Sequence, residues 1–366
     1  MRVLLAATPG AGHVMPLIPI LNAFRAAGHD VAFAISDEIV VPGLDSSVRR
    51  FTKAAPRFPV CPYPHGPERT AWWVRVNAEM AWASYLSTLE IIEEFKPDII
   101  VRDSAERGAY LAAEVLRIPH VNVLVGAESV LNPYIERERL ISEPLRKSLG
   151  LPEDPSGSTQ IPLGIALTHP RFFGGRADLH PYSTFYCVDP PAEPRETDTG
   201  RPSVLVSLGS SMTVPHTRFA HRVLTGLLRD DVRITVAVPD HLRHELVEEF
   251  PRADILGFDD LSPHLEHADV VVSHGGFGTV RAALHRGIPM HITPFWSDQF
   301  LNAECITECG AGLALPWDSC SPQELAESVL RVVRESTFRN AAHAFSEDAH
   351  ALPGAEECVR DIASII

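Results

Sequence analysis

The sequence predicts an α/β protein built from two doubly wound, parallel-sheet domains. Three observations predict it. Short β-branched runs alternate with helical periodicity along the chain; 366 residues exceed the ordinary span of one core; and a proline-rich, charged stretch, DPPAEPRETDTGRP, separates two similar halves. The domains are placed at 1–188 and 203–350, with a linker at 189–202 and a helical tail at 351–366.

The first half opens with an apolar strand at 2–7, a helical pattern at 15–27 stopped by Gly28, and a second strand at 30–35, which together make a βαβ unit. A long helical period at 68–95 carries Trp72, Trp73, Met80, Trp82 and Tyr85 and ends at Lys96-Pro97, before a strand at 98–102. Its aromatics suit a core first and a ligand surface second. In the second half, strands are read at 203–207, 233–238 and 253–257, with a helix at 217–228. The stretch 270–303 then gives a β-branched strand, a glycine-rich turn (Gly275, Gly276, Gly278), a helix from about Thr279, and a strand at 288–293. Asp298 and Gln299 follow the carboxyl end of that strand, where open parallel sheets bind ligands. A last helix is read at 355–366.

Composition narrows the function. With 45% hydrophobic and 22% charged residues the chain is of the soluble globular kind, and a net charge of −15 argues against a nucleic-acid or anionic-membrane partner. The apolar N-terminus is interrupted by Pro9, Gly10, Gly12, His13 and Pro16 before a secretory core is complete, and no run reaches the ~20 apolar residues of a membrane span. A cytoplasmic protein with small-molecule partners is expected; a homodimer is left open. The six cysteines show no zinc or redox spacing.

Several groups carry chemistry. Free N–H groups and the positive dipole end of the helix after Gly276 suit a diphosphate, and His274 before two glycines is placed to donate to it. His13, in the first loop and at a helix start, is kept neutral there and able to accept a proton. Asp103 ends a strand; with Glu106 three residues on it also fits a helix capping box. Ser207-Leu208-Gly209-Ser210-Ser211 follows another strand and also reads as turn chemistry, and Asp298 also reads as a helix cap. No Asp-x-Asp pair is present to hold a bridging cation, so no metal is expected.

His274-Gly275-Gly276-x-Gly278-Thr279, then Ala283-Leu284-x-x-Gly287-x-Pro289, then Pro294-x-x-x-Asp298-Gln299-x-x-Asn302-Ala303 closely resembles the donor signature of the family 1 glycosyltransferases, and within them the bacterial enzymes that decorate antibiotics and other natural products. The resemblance implies two Rossmann-like domains facing across a cleft, the GT-B type, with the acceptor held by the first and a nucleotide-sugar by the second. It implies an inverting transfer in which His13 deprotonates the acceptor and Asp103 orients it. It further implies a donor site of Gly12, Ser210, Ser211, His274, Gly275, Gly276, Phe277, Gly278 and Thr279, with Asp298 and Gln299 on the sugar hydroxyls. Phe258-Asp259-Asp260 stands where relatives show Trp-Val-Pro, so Phe258 would stack on the base and Asp259 departs from the pattern. Ala282 occupies the position of a ribose-binding glutamate in plant relatives. A dTDP- or UDP-sugar is the implied co-substrate, with no other cofactor. The rival readings are a nucleotide-sugar epimerase of the same fold and a catalytically silent, nucleotide-binding homologue.

Overall fold

The computed structural model describes residues 1–37, 43–54, 59, 67–189, 200–209, 216–228, 231–257 and 261–366. They divide into two units, one formed by Met1–Leu167, Ala177–Val188 and Pro353–Ile366, the other by Thr168–Arg176 and Asp189–Leu352. Among the described residues no helix is long and apolar enough to cross a membrane.

In the first unit the strands are β1 (Arg2–Ala6), β2 (Asp30–Ile35), β3 (Arg49–Thr52), β4 (Ile99–Asp103), β5 (His120–Leu124), β6 (Gly164–Ala166) and β7 (Ser183–Phe185). They form one sheet in the order β3-β2-β1-β4-β5-β6-β7, with every pairing parallel. The helices are α1 (Ala11–Val14), α2 (Ile18–Ala26), α3 (Pro67–Phe95), α4 (Arg107–Leu116) and α5 (Asn132–Ser148). Strand alternation sends Val3, Leu5 and Val101 to a face covered by Leu17, Leu21 and Phe24, and Leu4, Ala6 and Ile100 to a face covered by α3 and α4. The helix read at 15–27 opens as a 3-10 turn, Met15–Leu17, and continues as α2, while α1 lies just before it. Pro16 and Pro19 lack the N–H that a continuous helix would need, and each sits at the start of its segment. A terminal helix, Ala355–Ala363, ends short of Ile366; it buries Cys358, Val359 and Ile362 in the same core, and Tyr186 donates to Asp361 at 2.7 Å.

The second unit holds β8 (Ser203–Ser207), β9 (Arg233–Ala237), β10 (Asp254–Leu256), β11 (Val270–Ser273), β12 (Met290–Ile292) and β13 (Gly312–Ala314), in the parallel order β10-β9-β8-β11-β12-β13. Its helices are α6 (His216–Leu227), α7 (Asp240–Glu249), α8 (Ser262–Leu265), α9 (Phe277–Leu284), α10 (Gln299–Glu308), α11 (Pro322–Arg334) and α12 (Ser336–His350). α9 starts at Phe277, two residues before the sequence reading, because the Gly276 carbonyl already accepts from Thr279 and Val280. Two boundaries differ from the sequence reading. Thr168–Arg176 falls in this unit because Phe172 packs on Phe277 and Phe345. Asp189, read as the first linker residue, is held by His285 at 2.7 Å and Arg281 at 3.2 Å; 190–199 lie outside the described residues.

Each sheet reverses its strand order once, at β1/β4 in the first unit and at β8/β11 in the second. Such switch points open a crevice beyond the strands' carboxyl ends.

Candidate active site

The first switch point gathers the segments that leave β1 and β4. α1 begins straight after the β1 loop, which places His13 in its first turn with a ring that is 36% exposed. Ninety residues on, Asp103 closes β4 and is fully buried. Its Oδ1 lies 3.2 Å from His13 Nδ1 and accepts from the Ala105 N–H at 2.6 Å, while Oδ2 accepts from the Thr8 N–H at 2.5 Å. Burial alone would raise the Asp103 pKa, but the charge and hydrogen bond of His13 and the two backbone donors outweigh it and hold the carboxyl below its ordinary value. An ionised carboxylate at Nδ1 keeps the proton on that nitrogen and leaves Nε2 with a lone pair. The capping-box alternative for Asp103 is not what forms. Glu106 is the N-cap of α4, and its carboxylate accepts from the Ala109 N–H.

Lys53 belongs to this arrangement and no motif marks it. Its buried ammonium donates to the Ala7 carbonyl at 2.8 Å and pairs with Glu106, which also accepts from Ser84. The ion pair therefore ties the residue before Thr8 to the residue three beyond Asp103.

At the second switch point His274 follows β11, buried, with its ring held against two glycines. A Cβ on Gly209 would come within 2.3 Å of His274 Cε1, and one on Gly276 within 2.7 Å of Nε2. Gly209 also needs its φ of +70°, so these two positions admit the ring only as glycine. Ser273 Oγ accepts from the Gly275 N–H at 3.0 Å, which shapes the turn. Phe277 and Gly278 lie in the first turn of α9, where backbone N–H groups have no intrahelical acceptor. The Phe277 ring faces inward onto Phe172, so only its backbone is placed for a ligand. Gly278 is exposed and Thr279 half-buried; a Cβ on Gly278, or on Gly12 in α1, would meet open space.

Asp298 occupies the N-cap position of α10 but makes no capping bond through its side chain. Gln299 is buried, and its Oε1 accepts from the Phe295 and Trp296 N–H groups at 2.8 and 3.0 Å, so the amide oxygen holds the loop and the amide nitrogen remains as its donor. Ser297, just before, sits at φ +54°, a left-handed conformation that costs a non-glycine residue of order 1 kcal/mol. Asn302 is fully buried and donates to the Gly275 carbonyl at 2.7 Å and to Asp298 Oδ2 at 3.3 Å, strapping the glycine turn to the Asp298 loop. The signature contains Asn302, but its spacing did not disclose that role. Ser210, Ser211, Phe258 and Asp259 lie outside the described residues. Among the described residues, the side chains grouped closely enough to hold a metal ion are His221, Glu245 and Glu249 on α6 and α7, none of them a site residue. Of the α3 aromatics, Trp72 and Tyr85 are core, whereas Trp82 is exposed.

Residues 221–365 match the family described as Erythromycin biosynthesis protein CIII-like, C-terminal domain. The L-demethylnoviosyl transferase of Streptomyces niveus is 29% identical over 347 residues, covering 87% of this chain and 86% of that protein. The 3-alpha-mycarosylerythronolide B desosaminyl transferase of Saccharopolyspora erythraea is 24% identical, covering 98% of this chain and 97% of its own length. The chain is a glycosyltransferase. Its fold is GT-B: spinosyn rhamnosyltransferase SpnG superposes with a TM-score of 0.80 at 22% identity, over 99% of this chain and all of that one. Both relatives of the glycosyltransferase are named for the sugar they transfer, a demethylnoviosyl and a desosaminyl group.

Proposed function

We propose that this glycosyltransferase moves a deoxysugar from a dTDP- or UDP-sugar to a hydroxyl of an apolar natural product, with inversion, without a metal, and with His13 as general base. The observation that carries the reading is His13 Nδ1 facing the buried Asp103 carboxylate, which leaves Nε2 to take a proton. Nε2 accepts the acceptor's O–H proton as that oxygen bonds to the anomeric carbon. The bond from that carbon to the diphosphate breaks in the same displacement, and its electron pair leaves with the diphosphate. Asp103 stabilises the imidazolium that forms. The α9 N-terminus and His274 would take up the charge on the departing group.

Two structural neighbours, SpnG and SsfS6, are complexed with thymidine diphosphate, and SpnG also with its aglycone. Ala282 supports a thymidine donor from this chain itself. It supplies no hydrogen bond to a ribose 2′-hydroxyl, so a deoxyribose loses nothing there. Calorimetric titration tests this point: dTDP should bind at least as tightly as UDP, and clearly tighter UDP binding overturns the thymidine preference. The transfer is tested by mass spectrometry of a donor panel with polyketide, macrolide and aromatic acceptors. Donor isomerisation without any glycosylated product would favour the epimerase.

A further inference from the structure

α6 and α7 bring His221, Glu245 and Glu249 together, with one ligand atom of each within 4.8 Å of the others. Glu245 and Glu249 are four residues apart on α7 and so share one helix face. Two carboxylates at that spacing repel unless a positive group lies between them. Among the described residues no lysine or arginine pairs with either. The guanidiniums on and beside these helices are engaged elsewhere: Arg218 over the Trp317 ring, Arg222 by Glu324 of α11, Arg243 on the Ile255 carbonyl and Arg252 on that of Leu228.

The imidazole points the same way. His221 Nε2 lies 3.1 Å from Glu249 Oε2 and is shielded from solvent, yet it makes no hydrogen bond among the described residues. Its ring is set at 88° against buried Phe250, with 5.2 Å between centres, and that packing fixes its direction. A close approach without an aligned N–H suits two ligands of one ion: an ion about 2.0–2.1 Å from each atom holds them roughly 2.9–3.4 Å apart.

We propose that His221, Glu245 and Glu249 bind one divalent transition-metal ion of the zinc class, which clips α6 to α7. An imidazole with two carboxylates is a donor set of that class, whereas magnesium and calcium take oxygen ligands and have no use for His221. The exposed Glu245 swings in to close the third bond, and water completes the shell. None of the three residues belongs to the catalytic or donor groups, so the ion takes no part in transfer and the site stands independently of the transferase reading.

The test is calorimetric titration of the chelator-stripped full chain with zinc chloride, paired with thermal unfolding. One zinc should bind per chain, and zinc at ten times its Kd should raise Tm by about 3–6 °C, saturably, while magnesium at the same concentration leaves Tm unchanged. His221→Ala should weaken binding at least tenfold, and so should Glu245→Gln, whose exposed position leaves the fold intact. Zinc-soaked crystals of the unaltered protein should show an anomalous peak at the zinc edge between the three side chains, a readout that does not depend on a variant folding. Zinc bound with unchanged Kd in both variants, an equal response to magnesium, or a zinc peak at other histidines alone overturns the proposal.

Discussion

Replacing His13 by alanine removes the proposed base and leaves the donor loops untouched. The His13–Asp103 hydrogen bond has one half-exposed partner, so its loss should cost the fold only about 1 kcal/mol. Asp103 keeps the Thr8 and Ala105 N–H groups, which prevents it from becoming an unsolvated charge. The chemical loss is larger: general-base catalysis is worth roughly 10²–10⁴ in rate, or about 3–5 kcal/mol of barrier. Asp103→Asn should cost less than His13→Ala, and the geometry says why it costs anything. With its oxygen toward Thr8, the new amide would donate to His13 Nδ1 and force the wrong tautomer; turned round, it would set N–H against the Thr8 N–H. The assay is kcat with a poorly acidic alcohol acceptor, with donor Kd measured by titration and expected to hold. A near wild-type rate for His13→Ala with that acceptor refutes the assignment; an acidic phenol would conceal the loss because it needs little help to ionise.

Three further outcomes are expected. Asn302→Ala removes the strap between the Gly275 turn and Asp298, and should raise the donor KM about tenfold, the worth of one buried hydrogen bond, with a smaller effect on kcat; an unchanged donor KM would refute it. Lys53→Met leaves Glu106 buried without its cation, at a cost of about 3–5 kcal/mol, read as a lower denaturant midpoint with an unchanged slope; a midpoint equal to wild type would show that the pair holds nothing. The Asp103 carboxyl is depressed on folding, so the unfolded chain binds its proton first. The stabilisation it gives is complete above the unfolded value of about 3.9 and is lost as pH falls through the folded one, so Asp103→Asn should flatten that part of the acid-denaturation curve.

What could be read from the sequence follows the range of the interactions. β11, the glycine turn and the start of α9 are local: a β-branched run and helix-start chemistry lie within about a dozen residues, and the reading erred by two residues at one end. β3 was missed because Arg49 and Arg50 look like solvated loop, whereas Arg49 stacks over the Phe51 and Phe95 rings at 4.7 and 5.5 Å. β6 and β7 are three residues each, too short for a period of two to appear. The inward turn of Phe277 depended on Phe172, a residue assigned to the other half of the chain.

The site divides along the same line. His13 and Asp103 are 90 residues apart, and only their family resemblance joined them before the fold did. No resemblance marked Lys53, because a lysine in a polar stretch looks the same whether its ammonium meets water or a carboxylate 53 residues away. Burial separates the two cases. An ammonium enclosed with Glu106 must be matched in place, and the match fixes the Ala7 carbonyl beside the loop that carries His13. Sequence therefore supplies the groups that do the chemistry, while the charges that hold those groups in register become visible only once the two switch points are folded.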